Sequence, residues 1–157
     1  MQELRNGIKS LSPIDVEKLI GEILCQYFQC DVRHVGRSHD RGIDLVMVKS
    51  DHDIAVQIKH RMKSDRVEGV ALVRDFVGAM VGERYSEGIY ITTAKDFSTP
   101  AREYVESVSR NFAPLNLINI QGFRELIGNL ASNVSEAFDR TWNHYEEMSR
   151  YAPKRKA

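Results

Sequence analysis

Residues 43–60, with the sequence IDLVMVKSDHDIAVQIKH, contain two apolar segments separated by a short polar one. The apolar segments 43–49 and 54–60 have the length and composition of strands, and residues 50–53 suit a turn, so the pattern predicts a β-hairpin. Each strand is apolar at neighbouring positions and not only at alternate ones. Both faces of the sheet are therefore expected to be covered, as in a central sheet between two layers of helices.

Helices are predicted on both sides of this hairpin. Before it, Ser12 is a suitable N-cap and Pro13 suits the first helical position. The apolar residues that follow recur at helical spacing and form one stripe: Val16, Leu19, Ile20, Ile23, Leu24 and Tyr27. A second helix is predicted over 67–82, with four valines on one side: Val70, Val73, Val77 and Val81. The remaining predicted elements are strands at 31–35, 88–93 and 115–120, and helices from the N-cap Ser98 to 111, over 123–130 and over 133–148.

The 157 residues show no repeat, low-complexity segment or linker that would divide them. We expect a main domain over 11–130, an N-terminal extension over 1–10, and a C-terminal helix and basic tail over 131–157 that belong to the same domain. No apolar run approaches the roughly 20 residues that span a bilayer, and no signal-peptide pattern is present. A cytoplasmic protein without membrane association is expected, with Cys25 and Cys30 reduced.

The charge balance is neutral overall but locally basic. The chain has 22 Lys and Arg against 22 Asp and Glu, which argues against a wide nonspecific footprint on nucleic acid. Residues 33–66, however, hold eight basic residues against five acidic ones. Five basic residues here are candidate contacts to nucleic-acid phosphates or, alternatively, part of a mixed solvated surface: Arg37, Arg41, His60, Arg61 and Lys63.

The hairpin pattern also predicts which polar side chains meet. If residues 50–53 form the loop, Lys49 pairs with Ile54, and counting outward places Asp44 opposite Lys59. Gln57 then lies on the same face, two residues away. Because cross-strand partners have Cβ atoms about 5 Å apart, a carboxylate, an amide and an ammonium group are expected to converge at one end of the sheet.

These groups are suited to phosphodiester hydrolysis. A hard divalent cation prefers oxygen ligands, and Asp44 offers an anionic one and the carbonyl of Gln57 a neutral one. Lys59 is expected to hydrogen-bond the attacking water and the phosphate, and so to stabilise the anionic transition state. Glu17 on the first helix is the natural second carboxylate. The alternative is a structural ion pair between Asp44 and Lys59, with Glu17 an ordinary polar residue beside the apolar stripe.

Segments 42–46 (GIDLV) and 56–59 (VQIK) resemble the D…QxK variant of the PD-(D/E)xK nuclease motif, and the closest similarity is to the Mrr-like type IV restriction endonuclease domain. Other segments are similar to the family in order and spacing. Residues 11–13 and 16–20 resemble its first helix with its glutamate, and 36–42 resemble the polar turn before the metal-binding aspartate. Residues 88–93, 97–98 and Ala101 resemble the strand and helix that follow. The resemblance covers roughly residues 11–127.

The resemblance implies a restriction-endonuclease-like α/β fold of three layers, α/β/α, whose central mixed sheet belongs to an αβββαβ core with further C-terminal helices. It also implies a Mg²⁺-dependent DNA endonuclease, with Mn²⁺ able to substitute, acting in restriction or defence against foreign DNA. Its catalytic residues would be Asp44, Gln57, Lys59 and Glu17, and its metal ligands Asp44, Gln57 and Glu17. A Holliday junction resolvase or repair nuclease of the same fold, and a non-catalytic nucleic-acid-binding module, remain alternatives.

Two features depart from the family pattern. The polar turn usually has glycine where His39 and Arg41 stand, and the usual fusion to a separate recognition domain is not expected for this chain. Specificity would then come from the nuclease domain, a dimer or a partner. Because a duplex cut needs two active sites, we expect a homodimer or a subunit of a larger complex, with Trp142, Tyr145 and Met148 as a candidate contact stripe.

Overall fold

The computed structural model describes residues 8, 10–36, 42–63 and 65–132. Its helices are α1 (Pro13–Phe28), α2 (Val70–Gly82), α3 (Thr99–Asn111) and α4 (120–132). Its strands are β1 (Asp31–His34), β2 (Leu45–Val48), β3 (Asp53–Lys59), β4 (Val67–Glu68), β5 (Gly88–Thr92), β6 (Asp96–Phe97) and β7 (Leu115–Ile118). The predicted 133–148 helix, with Trp142, Tyr145 and Met148, lies outside the described residues, as does most of the turn that contains Arg37 and Arg41.

Five strands form one mixed sheet in the order β1-β2-β3-β5-β7. The first three pair antiparallel, whereas β3, β5 and β7 run parallel. Parallel neighbours need a crossover connection, and α2 and α3 supply the two crossovers. The short strands β4 and β6 pair with each other in a separate two-stranded ribbon.

Both faces of the sheet are covered, as the apolar pattern of the hairpin predicted. On one face, α1 and α4 pack against side chains that include Leu45 and Val56. On the other face, α2 and α3 pack against side chains that include Val46 and Tyr90. Adjacent residues of β2 therefore point into two different cores. This explains why apolar residues occupy consecutive positions of the strand and not only alternate ones. The result is the three-layer α/β/α arrangement that was expected.

Two helices begin where their capping residues predicted. Ser12 is the N-cap of α1, and its hydroxyl accepts a hydrogen bond from the backbone N–H of Asp15. Ser98 caps α3 in the same way, accepting from Ala101. Both helices have a proline in the first turn, where the missing N–H costs no hydrogen bond.

The helix predicted over 67–82 needs two corrections. It begins at Val70, because residues 67 and 68 form β4. Its buried residues are Val73, Phe76, Val77 and Met80. Val81, placed in the stripe by the sequence pattern, is 51% exposed. At 100° per residue, Val81 lies about a quarter turn from the centre of a face that the larger Phe76 and Met80 dominate.

The hairpin register differs from the predicted one by two residues. Val48 pairs with Asp53, and the turn is 49–52, closed by a hydrogen bond from the N–H of Lys49 to the carbonyl of His52. Continuing this register places Asp44 opposite Gln57, and not opposite Lys59. Because the shift is an even number of residues, all three side chains keep the face that was predicted for them.

Among the described residues, none of the helices is both long enough and apolar enough to cross a membrane.

Candidate active site

Asp44 lies immediately before β2, and its carboxylate is held by two donors from β3. Its Oδ2 accepts a hydrogen bond from the backbone N–H of Ile58 at 2.6 Å and one from Nε2 of Gln57 at 2.5 Å. Its backbone is tied as well, since the N–H of Asp44 donates to the carbonyl of Val56. These bonds fix the carboxylate at the end of the sheet where β2 begins.

Gln57 is buried, with 4% of its surface exposed, and it lies next to Gly42. A Cβ on Gly42 would come within 3.4 Å of Oε1 of Gln57. Gly42 also has a φ of +72°, a left-handed conformation that side-chain-bearing residues rarely adopt. The positive φ therefore favours glycine at this position, two residues before Asp44.

Lys59 is the last residue of β3, and its backbone is held by β5. Its carbonyl accepts hydrogen bonds from the hydroxyl of Thr92 and from the N–H of Thr93. Lys59 shares a sheet face with Gln57 because the two are separated by two residues. The structure thus places Asp44, Gln57 and Lys59 on one face at one end of the sheet.

Glu17 is one of the charged groups that influence the carboxyl of Asp44. Burial raises the pKa of the Asp44 carboxyl above its ordinary value, and the negative charge of Glu17 raises it further. The hydrogen bond from Ile58, the charge of Lys59 and the hydrogen bond from Gln57 act in the opposite direction. The net upward shift of the Asp44 pKa means that the surrounding protein groups do not fully compensate for burying the charged carboxylate.

The five candidate phosphate contacts have different surroundings. Lys63 is exposed, and Arg37 and Arg41 lie outside the described residues. The ring of His60 contacts the hydroxyl of Thr93 at 3.2 Å. Arg61 donates through Nε and Nη2 to the carboxylate of Glu68. Contact with nucleic acid stays a prediction for all five.

Glu68 is a buried polar residue that sequence reasoning missed. It is 1% exposed and accepts hydrogen bonds from Arg61 and from the hydroxyl of Tyr90. Burial, followed by the charge of Glu68, raises the pKa of the Tyr90 hydroxyl far above its ordinary value. No sequence signal separated Glu68 from a solvated helix residue, because its strand has only two residues.

Tyr90, Thr92 and Thr93, in the strand predicted over 88–93, are buried. Each also makes a hydrogen bond. The hydroxyl of Thr93 accepts from the backbone N–H of Arg61 at 2.6 Å. These three residues of β5 and its end therefore support the chain segment that follows Lys59 as well as filling the core.

The donor set suits a hard divalent cation. Asp44, Gln57 and Glu17 offer oxygen as ligand atoms, and burial, the main cause of the raised pKa of Asp44, leaves a carboxylate that a bound cation would stabilise. Among the described residues, no group of three or more His, Cys, Asp or Glu side chains is arranged to hold a metal, so a site here depends on the Gln57 amide. The nitrogen of that amide faces Asp44, and rotation of the amide by half a turn presents its oxygen instead.

Asp44→Asn is expected to make the metal-free protein more stable at pH 7. A folded-state pKa above the unfolded value means that stability is fully present below the ordinary value of 3.8 and is lost as pH rises through the raised pKa. Asparagine remains neutral over this range and still accepts the hydrogen bond from Ile58. Urea unfolding in EDTA should show an advantage at pH 7 that shrinks toward pH 3.5, whereas an Asn variant less stable than wild type at pH 7 would contradict this.

A mixed five-stranded sheet between helical layers, with Asp44 facing a Gln-x-Lys strand at its end, defines a protein of the restriction-endonuclease fold. The family model described as restriction endonuclease (Mrr_cat) matches residues 8–127, and the chain belongs to that family. No curated protein matches the chain.

Solved structures of low sequence identity share the fold. The DNA modification-dependent restriction endonuclease AspBHI is similar with a TM-score of 0.63 at 16% identity, over 84% of this chain and 35% of that one. The MspJI restriction endonuclease in complex with a 27-mer oligonucleotide has a TM-score of 0.50 at 16% identity, over 85% of this chain and 34% of that one. The chain thus spans about a third of the length of either protein.

Proposed function

We propose that the protein is a Mg²⁺-dependent DNA endonuclease that hydrolyses phosphodiester bonds in restriction or defence against foreign DNA in the cytoplasm. The observation that carries the proposal is the carboxylate of Asp44 hydrogen-bonded to Gln57 across two strands, with Lys59 two residues farther along the same face. Membership of the restriction endonuclease family supports the reaction class. The restriction role is supported by the names of the similar enzymes AspBHI and MspJI.

Asp44, Gln57 and Glu17 would hold the cation. Bound Mg²⁺ supplies Lewis acidity toward the phosphate and lowers the pKa of water. Asp44 is held ready for this role because Ile58 fixes its carboxylate through the backbone and not through a mobile side chain. The Asp44 carboxylate is thus fixed before the cation binds, whereas the Gln57 amide has to rotate to present its oxygen.

Lys59 would donate a hydrogen bond to the phosphate oxygen on which negative charge increases, and orient the attacking water. Its backbone carbonyl is held by Thr92 and Thr93, so the origin of the long side chain is fixed while its ammonium group remains adjustable. A cation at this point stabilises the transition state more than the ground state, which is the condition for a faster reaction.

Chelation is expected to abolish cleavage, because the proposed mechanism depends on a hard cation held by the oxygen atoms of Asp44, Gln57 and Glu17. Plasmid and oligonucleotide cleavage in EDTA should be at background, and added Mg²⁺ or Mn²⁺ should restore it. The same assay should include DNA substrates with and without modified bases, and a four-way junction. Undiminished cleavage in EDTA contradicts the metal mechanism, and selective cutting of the junction favours a resolvase instead.

We also propose that the active protein is a homodimer or part of a larger complex, since one chain supplies one active site and a duplex cut needs two. Light scattering at micromolar concentration should give at least twice the monomer mass of 18.0 kDa when duplex DNA is present, beyond the mass of the DNA itself. A strict monomer that makes only nicks contradicts this and favours a repair nickase.

A further inference from the structure

A contact between α1 and the end of β1 joins Glu17 to His34. Nδ1 of His34 lies 3.2 Å from Oε1 of Glu17. A carboxylate accepts hydrogen bonds, so Nδ1 is the donor. The residue after His34, Val35, donates its backbone N–H to the carbonyl of Asp44 at 3.0 Å. His34 is thus attached through its side chain to Glu17 and through the adjoining backbone to Asp44.

Gly21 leaves room for the His34 ring against α1. It lies four residues after Glu17, on the same side of the helix. A Cβ on Gly21 would be 3.1 Å from Nε2 and 3.3 Å from Cε1 of His34, closer than side chains ordinarily approach. Glycine inside a helix is destabilising relative to alanine. Glycine at position 21 is therefore explained by the His34 ring, which lies against the helix backbone there.

The Glu17–His34 pair lines a cavity next to which Asp44 lies. Its volume is about 500 Å³, and its lining includes Glu17, His34 and Gly36. A Cβ on Gly36 would lie 3.5 Å from Oδ1 of Asp44, so the glycine lies directly against that carboxylate. Glu17 thus lines the cavity, and the Asp44 carboxylate lies beside it, against Gly36.

We propose that His34 is a positioning residue of the nuclease site: its Nδ1–H holds the Glu17 carboxylate in the cavity lined by Gly36, the glycine that lies against Asp44, and Gly21 provides the space for the ring. This inference rests on the proposed function. Glu17 has a long side chain with several rotamers, and the hydrogen bond from the half-exposed His34 ring favours one of them. Outer partners that orient ligand groups in this way typically change metal affinity or activity about 10–100-fold when removed.

Mn²⁺ affinity measured by calorimetric titration without DNA tests the inference, with urea unfolding beside it. His34→Leu is expected to weaken Mn²⁺ binding about 10-fold or more. His34→Asn should retain most of the Mn²⁺ affinity, because the amide nitrogen of asparagine is bonded to Cγ, as Nδ1 of histidine is. Gly21→Ala should also weaken Mn²⁺ binding while its urea midpoint does not fall, since alanine favours the helix. A merely structural role for His34 predicts the opposite, with stability lost and affinity kept.

A double-mutant cycle with Glu17→Gln separates this inference from the proposed function. If His34 acts through Glu17, the double variant Glu17→Gln/His34→Leu binds Mn²⁺ no more weakly than Glu17→Gln alone. Wild-type affinity in His34→Leu, beside weakened binding in Glu17→Gln, overturns the role of His34 and leaves the nuclease proposal standing. If Glu17→Gln alters neither binding nor cleavage, the role of Glu17 is wrong and that of His34 falls with it. If the wild type neither binds Mn²⁺ nor cleaves DNA, the proposed function itself is wrong.

Discussion

Asp44→Ala is expected to reduce DNA cleavage to background and to remove Mn²⁺ binding, while the protein remains folded. Asp44 is the anionic group at the centre of the site, and it accepts hydrogen bonds from Gln57 and Ile58. Lys59→Ala is expected to keep most of the Mn²⁺ affinity and to slow cleavage by about 10²-fold or more, the loss typical of removing one group that stabilises the transition state. Asp44→Ala thus tests which residue binds the cation, and Lys59→Ala tests which residue stabilises the negative charge on the phosphate.

Calorimetric titration with Mn²⁺, beside single-turnover cleavage, measures both effects. Lys49→Ala is the matched control for Lys59→Ala, since it removes the same charge at the opposite end of the hairpin, where Lys49 lies over the ring of Phe28. It should cleave at the wild-type rate. Equal loss of Mn²⁺ binding in Asp44→Ala and Lys59→Ala would contradict this division of roles.

Glu68→Ala is expected to lower the free energy of unfolding by about 3–5 kcal/mol, the cost of removing one partner from a buried ion pair. Glu68 is 1% exposed, and its loss leaves the guanidinium of Arg61 and the hydroxyl of Tyr90 without their acceptor. The loss also removes the partner of the Arg61 side chain, two residues beyond Lys59, while Thr93 still holds the Arg61 backbone. Urea unfolding measures the stability, and cleavage by the folded fraction measures the effect on the site.

Two comparisons make the Glu68 result specific. Glu106→Ala removes an equally charged residue paired with Arg110 on the exposed side of α3, and it should cost at most about 0.5 kcal/mol. Replacing the buried pair together, as Arg61→Met/Glu68→Leu, should recover much of the loss, because an apolar pair of similar volume needs no desolvation of charge. Equal stability of Glu68→Ala and Glu106→Ala would show that burial of the carboxylate has no energetic consequence.

The elements of the sheet and its two covering layers were predictable because their signals are local. Ser12 and Ser98 satisfy backbone N–H groups three residues away, which any helix start requires regardless of its surroundings. Apolar residues at consecutive positions of β2 and β3 likewise indicate a strand between two cores. Two strands of the described residues were missed, β4 and β6; each has two residues, and they pair with each other across a large separation in sequence.

The strand register of the hairpin could be determined only from the folded structure. Counting from an assumed loop of 50–53 placed Asp44 opposite Lys59, whereas the turn of 49–52 places it opposite Gln57. A strand that is apolar on both faces restricts register weakly, since a shift of two residues buries the same kinds of side chain. The composition of the site was therefore predictable, and its internal hydrogen bonds were not.

The sequence by itself determined the class of fold, the strand that ends in Lys59 and the identity of the polar residues on its face, because helix caps, strand periodicity and the D…QxK spacing are all encoded within short segments. Only the tertiary structure decided that Asp44 is held by Ile58, that His34 contacts Glu17, and that Glu68 is buried against Arg61 and Tyr90. The last two contacts join residues on separate elements. Their geometry depends on how α1, the main sheet and the β4–β6 ribbon pack, and packing is a property of the whole chain rather than of any segment.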